Sequence, residues 1–264
     1  MSRGRWDRVT RGNPCPVCGK PDWCVRVDDG TICARTESAI RAGEAGWFHP
    51  AGDRQRGASE RSWSVTEAPD VGDLADRYFI AHNAPPARFA LARRLLVAEE
   101  SLERLRVGWN SALEAWTFPM RDGRGRVVGI QHRFNATGEK RVVKGHRSGV
   151  FEPAGMDVRD AELVVCEGAS DTAAALSVGL EAIGRFSCTG TVAETVARIR
   201  RHRPDRVLVV ADNDVPGRRG AELLASALEG IARTELRTPP AGLKDLRAWT
   251  HAGATAGDIR KGAS

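Results

Sequence analysis

The stretch from Glu162 to Ala221 restricts the fold more than any other part of the chain. It reads ELVVCEGASDTAAALSVGLEAIG and, after a basic helical segment, RVLVVADNDVPGRRGA. Each half is an apolar run, then acidic residues in a turn, then a helical pattern. Leu163-Val164-Val165-Cys166 and Val207-Leu208-Val209-Val210-Ala211 are short, partly β-branched and bounded by turn residues, as strands buried on both faces of a parallel sheet are. Helices are expected to begin near Asp171 and Val215 and carry the chain back. In an open α/β sheet the carboxyl ends of the strands line the ligand crevice, so Glu167, Asp212 and Asp214 are expected to converge there. Carboxylates so close repel one another unless a cation intervenes. A hard, oxygen-seeking ion such as Mg2+ or Mn2+ suits them and commonly serves phosphate chemistry. A DxD alone after a strand is more often a turn and a helix cap. Here it coincides with a Glu-Gly pair after the other strand and with an Asp four residues further on.

The 264 residues, 41% of them hydrophobic, are enough for one large or two modest domains with a real core. No run of about 18 uncharged apolar residues occurs and the Arg-rich start lacks a signal peptide's apolar segment, so no membrane association and a cytoplasmic location are expected. Forty Lys and Arg against thirty-four Asp and Glu give a net charge of +6, and most of the basic residues are Arg, which suits bidentate phosphate contacts and a polyanionic partner. Arg enrichment can equally follow from base composition, and a charged face is commonly only solvated.

Four of the six Cys, Cys15, Cys18, Cys24 and Cys33, are clustered near the start. In a reducing compartment such a cluster signals a metal before disulfides. Cys15 and Cys18 have CxxC spacing with Gly19 in the turn. Between Cys24 and Cys33, VRVDDGTI reads as a hairpin turning at Asp28-Asp29-Gly30, which brings its ends together. A structural four-Cys zinc site is expected, with His49 as an alternative fourth ligand. Arg26, Arg35 and Arg41 lie around it with Trp23 and Trp47; these aromatics are either a stacking surface for single-stranded nucleic acid or the core of a small module. Cys166 and Cys188 are expected to be inert and buried. His132, His146 and His202 have no ligand spacing.

Residues 51–69 are polar and nearly free of aliphatics and read as a linker between a module at 1–50 and a domain that begins near Asp70. Leu74, Tyr78, Phe79, Phe89, Leu91, Leu95 and Leu96 recur at helical spacing and are expected in the core, with Pro85-Pro86 between two helices. A short helix follows around Ser101 and Arg104. Then AWTFPMRDGRGRVVGIQHRF alternates into a hairpin with its turn at Asp122-Gly123 or Arg124-Gly125, and the β unit continues through Lys140–Gly145. Arg133, Arg141, Lys144 and Arg147 therefore fall on or beside neighbouring strands.

Residues 162–221 resemble a TOPRIM domain, the fold shared by DnaG-type primases, topoisomerases and some nucleases. With GW and FPMRDGRGRVVGIQHR upstream and CPVCGKPDWC at the start, the resemblance is to DnaG-type primases over nearly the whole chain, particularly phage-like and mobile-element forms. It implies an α+β / α/β architecture: a small zinc-ribbon-like β module, the linker, the N-terminal part of the primase RNA-polymerase core at 70–158, and a TOPRIM parallel sheet flanked by helices at 159–264. Glu167 matches the TOPRIM glutamate, Asp171 the aspartate of EGxxD, Asp212 and Asp214 the DxD, and Lys244-Asp245 a KD element that adds a further carboxylate. Arg133 and Lys144 match basic positions that the family places near nucleotide or template, and Arg141, Arg147, Arg218 and Arg219 are further candidates for phosphate contact. The implied activity is template-directed synthesis of short RNA primers on single-stranded DNA from NTPs, with zinc structural and Mg2+ or Mn2+ catalytic. A separate replicative helicase or replisome component is the implied partner. The zinc spacing departs from paired CxxC, and no helicase or helicase-interaction segment is expected after Ser264. A TOPRIM nuclease would use the same carboxylates with water as the nucleophile. A non-catalytic zinc/TOPRIM recombination mediator would carry a helix-hairpin-helix, which is not seen. Tyr78, the lone Tyr, sits in an amphipathic helix and reads as core rather than as a covalent nucleophile.

Overall fold

The computed structural model describes residues 6–27, 30–38, 40–42, 45–50 and 70–262. The chain divides into two compact units, Met1–Ser64 and Val65–Ser264. The Asp28-Asp29 part of the expected turn and the expected linker at 51–69 lie outside the described residues.

In the first unit, β1 (Trp6–Arg8), β2 (Val25–Val27), β3 (Gly30–Cys33), β4 (Ile40–Arg41) and β5 (Trp47–Pro50) form one antiparallel sheet of order β1-β2-β3-β5-β4. β2 and β3 pair as the expected hairpin, with Val25 opposite Ile32. The buried cluster of this unit is small: Val9, Cys15, Cys24 and Cys33, with Val17, Cys18 and Ala34 against it. Trp23 is not part of it. It is 81% exposed and takes a left-handed backbone conformation, φ 64°, whereas Trp47 is half-buried.

The second unit opens with α1 (Val71–Ile80), α2 (Ala84–Leu95) and α3 (Glu99–Arg104). Asp70 caps α1 by accepting from the Gly72 amide at 2.7 Å, and Pro85-Pro86 fall in the first turn of α2, where a missing N–H costs nothing. Leu91 and Leu95 are buried as expected, but Phe89 and Leu96 are exposed. Phe89 turns to the solvent side of α2, and Leu96 is the left-handed C-cap, φ 53°, which takes its side chain off the helical repeat. Two long strands follow, β7 (Ala115–Arg121) and β8 (Val127–Phe134), with β6 (Gly108–Asn110) paired to β7 and β9 (Lys140–Val142) to β8. The β7–β8 turn is organised by Asp122, whose carboxylate accepts from the amides of Arg124 and Arg126 at 2.9 and 3.0 Å.

From β10 (Val150–Phe151) the chain enters the repeating part: β11 (Glu162–Glu167), α4 (Gly168–Ser177), β12 (Ala182–Arg185), α5 (Val192–His202), β13 (Arg206–Val210), α6 (Val215–Ala227), β14 (Arg233–Arg237), α7 (Leu246–His251) and α8 (Ala256–Lys261). The two apolar runs of the sequence are adjacent parallel strands, with Val164 opposite Leu208. β14-β13-β11-β12 are parallel, and antiparallel β10 joins them to β7, β8 and β9, so the stretches 70–158 and 159–264 share one nine-stranded sheet. Strand alternation divides the core. Leu163, Val165, Val207 and Val209 meet α5 and α6 on one face; Val164, Cys166, Leu208 and Val210 meet α4, α7 and α8 on the other. A third cluster sets α2, α3 and α4 against Trp116, Phe118 and Met120 of β7. Among the described residues no helix is long and apolar enough to cross a membrane.

One buried ion pair ties the two parts of this sheet across its helical layer. Arg198 of α5 donates Nε and Nη2 to the Glu152 carboxylate just beyond β10 at 2.6 and 2.5 Å, and His202 lies 3.2 Å from the same carboxylate. Burial alone would raise the Glu152 pKa, but hydrogen bonds from His202 and Arg198 and the charge of Arg198 outweigh it and hold the group at about 2. Glu152→Ala strands the Arg198 guanidinium and is expected to cost about 3–5 kcal/mol in urea unfolding. Because the folded-state pKa lies below the ordinary 4.5, the stability from this group is complete above about pH 4.5 and is lost as pH falls toward 2. A Glu152→Ala chain whose acid unfolding matches wild type would contradict that assignment.

Candidate functional site

The acidic residues singled out in the sequence meet at the carboxyl ends of β11 and β13. Gly168, φ +73°, makes the sharp exit from β11 that any larger residue would strain, and α4 begins there, three residues earlier than expected. Asp171 therefore sits in the first turn of α4, one helical turn from Glu167 and on its side. Asp212 follows β13. Asp214 caps α6 by accepting from the Gly217 amide at 2.8 Å, and a side chain at Gly217 would collide with Asp212, its backbone oxygen only 2.7 Å from an added Cβ. Asp245 caps α7, accepting from Ala248 at 2.7 Å, and Asp171 accepts from the Arg247 amide at 2.9 Å. The loops that carry Asp212 and Asp245 are stitched together by Asn213, whose backbone amide donates to the Lys244 carbonyl at 2.7 Å and whose side-chain amide donates to Leu243 O at 3.2 Å.

These carboxylates feel one another. Burial, then Asp245, pushes Asp171 up to about 7; burial, then Glu167, Asp245 and Asp214, pushes Asp212 up to about 7, with Lys244 pulling the other way. Glu167 is also raised, by burial and Asp214 against Arg185 and Lys244. Such an under-compensated acidic set fits a hard divalent cation, which Asp212 and its neighbours would hold through oxygen. The set is open rather than closed: among the described residues, the group of ligand atoms lying within 4.8 Å of one another is the four-Cys cluster.

Facing the acids is a basic rim from β8, β9 and α7. Arg133 and Lys140 are cross-strand partners. Desolvation lowers Arg133, aided by Arg94 and Arg247; it lowers Lys140 as well, aided by Arg133 and Arg247, while Asp171 and Asp245 support the ammonium. Lys140, Arg94 and Arg247 escaped the sequence reading. Their signals were the pairing of Lys140 with Arg133 across the β8–β9 hairpin and the position of Arg247 two residues after Asp245. Of the other basic candidates, Lys244 acts on Asp212 and Glu167 and Arg218 reaches the side chain of Asn213, between Asp212 and Asp214, while the rest are placed elsewhere. Arg141, next to Lys140 and so on the opposite face, pairs with Glu139 at 2.7 Å over the Phe134 ring. Arg147 lies 3.8 Å from Asp122, Arg218 donates to Asn213 Oδ1 at 3.1 Å, and Lys144, Arg219 and Lys244 are exposed.

In the first unit Cys18 and Cys24 have sulfurs 3.7 Å apart, and Cys24 and Cys33 3.9 Å. A disulfide needs about 2.05 Å, whereas a tetrahedral zinc ion with bonds of about 2.3 Å sets its sulfurs about 3.8 Å apart. Amides stand ready for thiolates: Ala34 N lies 3.4 Å from Cys24 Sγ and Thr36 N 3.3 Å from Cys33 Sγ. Burial opposes ionisation of Cys33, yet the amides of Arg35 and Thr36 bring it down to about 6; burial pushes Cys24 up to about 12, a cost that a bound cation would offset. His49 is outside this set, its Nε2 3.0 Å from the Thr36 carbonyl. Cys166 is buried with its thiol raised by desolvation, and Cys188 is half-buried.

No family model matches the chain, and no curated protein matches it. Solved structures do. The chain is similar to a DnaG primase catalytic domain bound to ssDNA (TM-score 0.55, 16% identity, 71% of this chain and 77% of that one) and to the E. coli primase catalytic core (0.51, 19%, 69% and 74%). It is similar also to the zinc-binding and RNA polymerase domains of the Aquifex aeolicus primase (0.53, 13%, 72% and 58%). The fold is that of the DnaG primase core, with a cysteine-bearing module near the N-terminus.

Two outcomes follow from the charges. Divalent cations must displace protons from Asp171 and Asp212, so Mn2+ affinity is expected to fall as pH drops below about 7, with proton uptake by buffer in calorimetry; pH-independent binding would contradict the crevice. Elemental analysis of the purified wild-type chain is expected to find one zinc per chain and Cys24→Ser to remove it, and full retention by the variant would place the metal elsewhere.

Proposed function

We propose that this chain is a DNA primase that makes short RNA primers on single-stranded DNA by metal-assisted nucleotidyl transfer, with residues 159–264 as its TOPRIM domain. The observation that carries the reading is the meeting, on a primase-core fold, of Glu167, Asp171, Asp212, Asp214 and Asp245 with the basic rim of Arg133, Lys140 and Arg247. Mg2+ or Mn2+, when bound, would lower the pKa of the attacking 3′-hydroxyl and neutralise the triphosphate. Asp212 and Asp214, with Asp171 and Asp245, would hold that charge at the strand ends. Glu167, the last residue of β11, would accept a proton from the attacking hydroxyl. Arg133, Lys140 and Arg247 would bind the phosphates of the incoming NTP or of the template, since they gather positive charge beside the carboxylates from three different elements. Lys244, whose charge already acts on Asp212 and Glu167, would serve at the site itself, and Arg141, Arg147, Lys144 and Arg218 would serve template or product around it.

Zinc at Cys15, Cys18, Cys24 and Cys33 is structural on this reading, because four protein ligands leave no open position. The exposed Trp23 and nearby Arg26 and Arg35 would bring template to the core by stacking and phosphate contact. Such an enzyme would work in the cytoplasm alongside a replicative helicase, and on the resemblance of its sequence its cysteine module would be of the phage-like kind.

The test is synthesis from labelled NTPs on mixed-sequence single-stranded DNA with Mg2+ or Mn2+. Wild type is expected to make short products and Asp212→Ala/Asp214→Ala to lose at least about a hundredfold in rate. Shortened DNA from wild type but not from the double variant would make the chain a nuclease instead.

A further inference from the structure

Behind the acidic crevice lies a cation that the basic rim does not include. Arg185, the last residue of β12, is fully buried, 0% exposed. Its Nη1 donates to the carbonyls of Cys188 and Gly220, each at 2.9 Å, and its Nη2 to Glu167 Oε1 at 3.3 Å, while Nε has no partner. Cys188 is in the β12–α5 loop, and Gly220 is in α6, the helix that Asp214 caps. Register makes the contact inevitable, since Glu167 and Arg185 are directly opposed on β11 and β12. A buried guanidinium is costly unless its charge is answered, and the carboxylate that answers this one is Glu167.

We propose that Arg185 is a positioning residue of the crevice: it clamps Glu167 to the α6 wall, and its fixed charge moderates how tightly the remaining carboxylates hold divalent cations. The proposal rests on the reading of the crevice as a cation site. The clamp spans three elements, so the Glu167 carboxylate keeps one place relative to the Asp212–Asp214 turn whether or not a cation is bound. The charge is held against α6 and the β12–α5 loop and is fully buried, so it acts on the carboxylates without competing for phosphate.

The test uses the full chain as wild type, R185M, E167Q and E167Q/R185M. It measures Mn2+ binding by electron paramagnetic resonance together with kcat and KM for NTP in primer synthesis. The crevice site is the Mn2+ binding that Asp212→Ala/Asp214→Ala removes. R185M is expected to bind that Mn2+ about tenfold more tightly, because one buried positive charge has gone. Its kcat is expected to fall at least about tenfold with KM within about twofold, and R185M is expected to cause no further fall in the E167Q background. Unchanged Mn2+ affinity, or an equal loss of kcat in both backgrounds, would overturn the proposal. Should R185M fail to fold by circular dichroism, R185K keeps the charge and loses the fork; it is expected to hold Mn2+ within about twofold of wild type while losing kcat. An R185K chain with wild-type kcat, or with Mn2+ affinity changed tenfold, would sink the idea as well. If wild type has no Mn2+ site that responds to Asp212→Ala/Asp214→Ala, the cation reading itself falls; if that site is present and R185M matches wild type, only the clamp falls.

Discussion

At the carboxyl ends of β11 and β13, the backbone forces together acidic groups that water would keep apart, and the rest of the second unit can be read as the means of doing so. Asp214 and Asp245 are each held by an amide of the helix they cap, and Asp171 by the Arg247 amide. Their positions are therefore fixed by helix starts, which form with the fold and not with a cation. The repulsion that remains is visible in Asp171 and Asp212, both pushed up to about 7, burial first and neighbouring carboxylates second. Stability is given up locally and recovered in the apolar layers on either side of the sheet, where Leu163, Val165, Val164 and Leu208 are fully buried.

The first unit solves the opposite problem. Its buried cluster consists largely of the cysteines themselves, with few aliphatics to support them. A unit of this size rarely holds together on such a core, so a metal held by the four cysteines would contribute folding energy directly. A cation at the acids would relieve repulsion in a fold that forms without it, whereas one at the cysteines would stand in for a missing core.

What the sequence revealed and what it hid follow the same physical line. The two apolar runs ending in acids identified β11 and β13 as parallel neighbours because nothing else in the chain combines that hydrophobicity with so abrupt a charge. The start of α4 was placed three residues late, since Asp171 resembles a cap and is instead one turn inside a helix begun by Gly168. Leu96 was assigned to the core by spacing alone, and spacing does not register a left-handed C-cap. Lys140 was passed over for Lys144 and Arg141 because facing is decided by strand parity, and β9 is only three residues long. Which of two adjacent basic residues turns toward the acids depends on a register with β8 that becomes visible only in the sheet. Arg185 was hidden for another reason: a charged residue ending an apolar strand reads as a solvated boundary until its buried partner is seen.

An acidic crevice by itself does not distinguish reactions, because the same carboxylates can activate water or a sugar hydroxyl. The distinction lies in what faces them. Antiparallel β10 joins the parallel strands to β7, β8 and β9 in one sheet, and β8 and β9 carry Arg133 and Lys140 beside Asp171 and Asp245. Opposite charges thus reach the site from opposite halves of the sheet, and the Arg198–Glu152 pair ties those halves together in the layer beneath. Desolvation lowers Arg133, which is half-buried, from its ordinary value, and Lys140 beside it is exposed, so one cation is fixed in the wall and the other is free to meet an anion. A phosphodiester to be hydrolysed and a triphosphate brought to a chain end both call for cations beside the acids, but the triphosphate carries more charge to one place. The continuity of this sheet holds Arg133 and Lys140 in register with the carboxylates, where such a charge would be met.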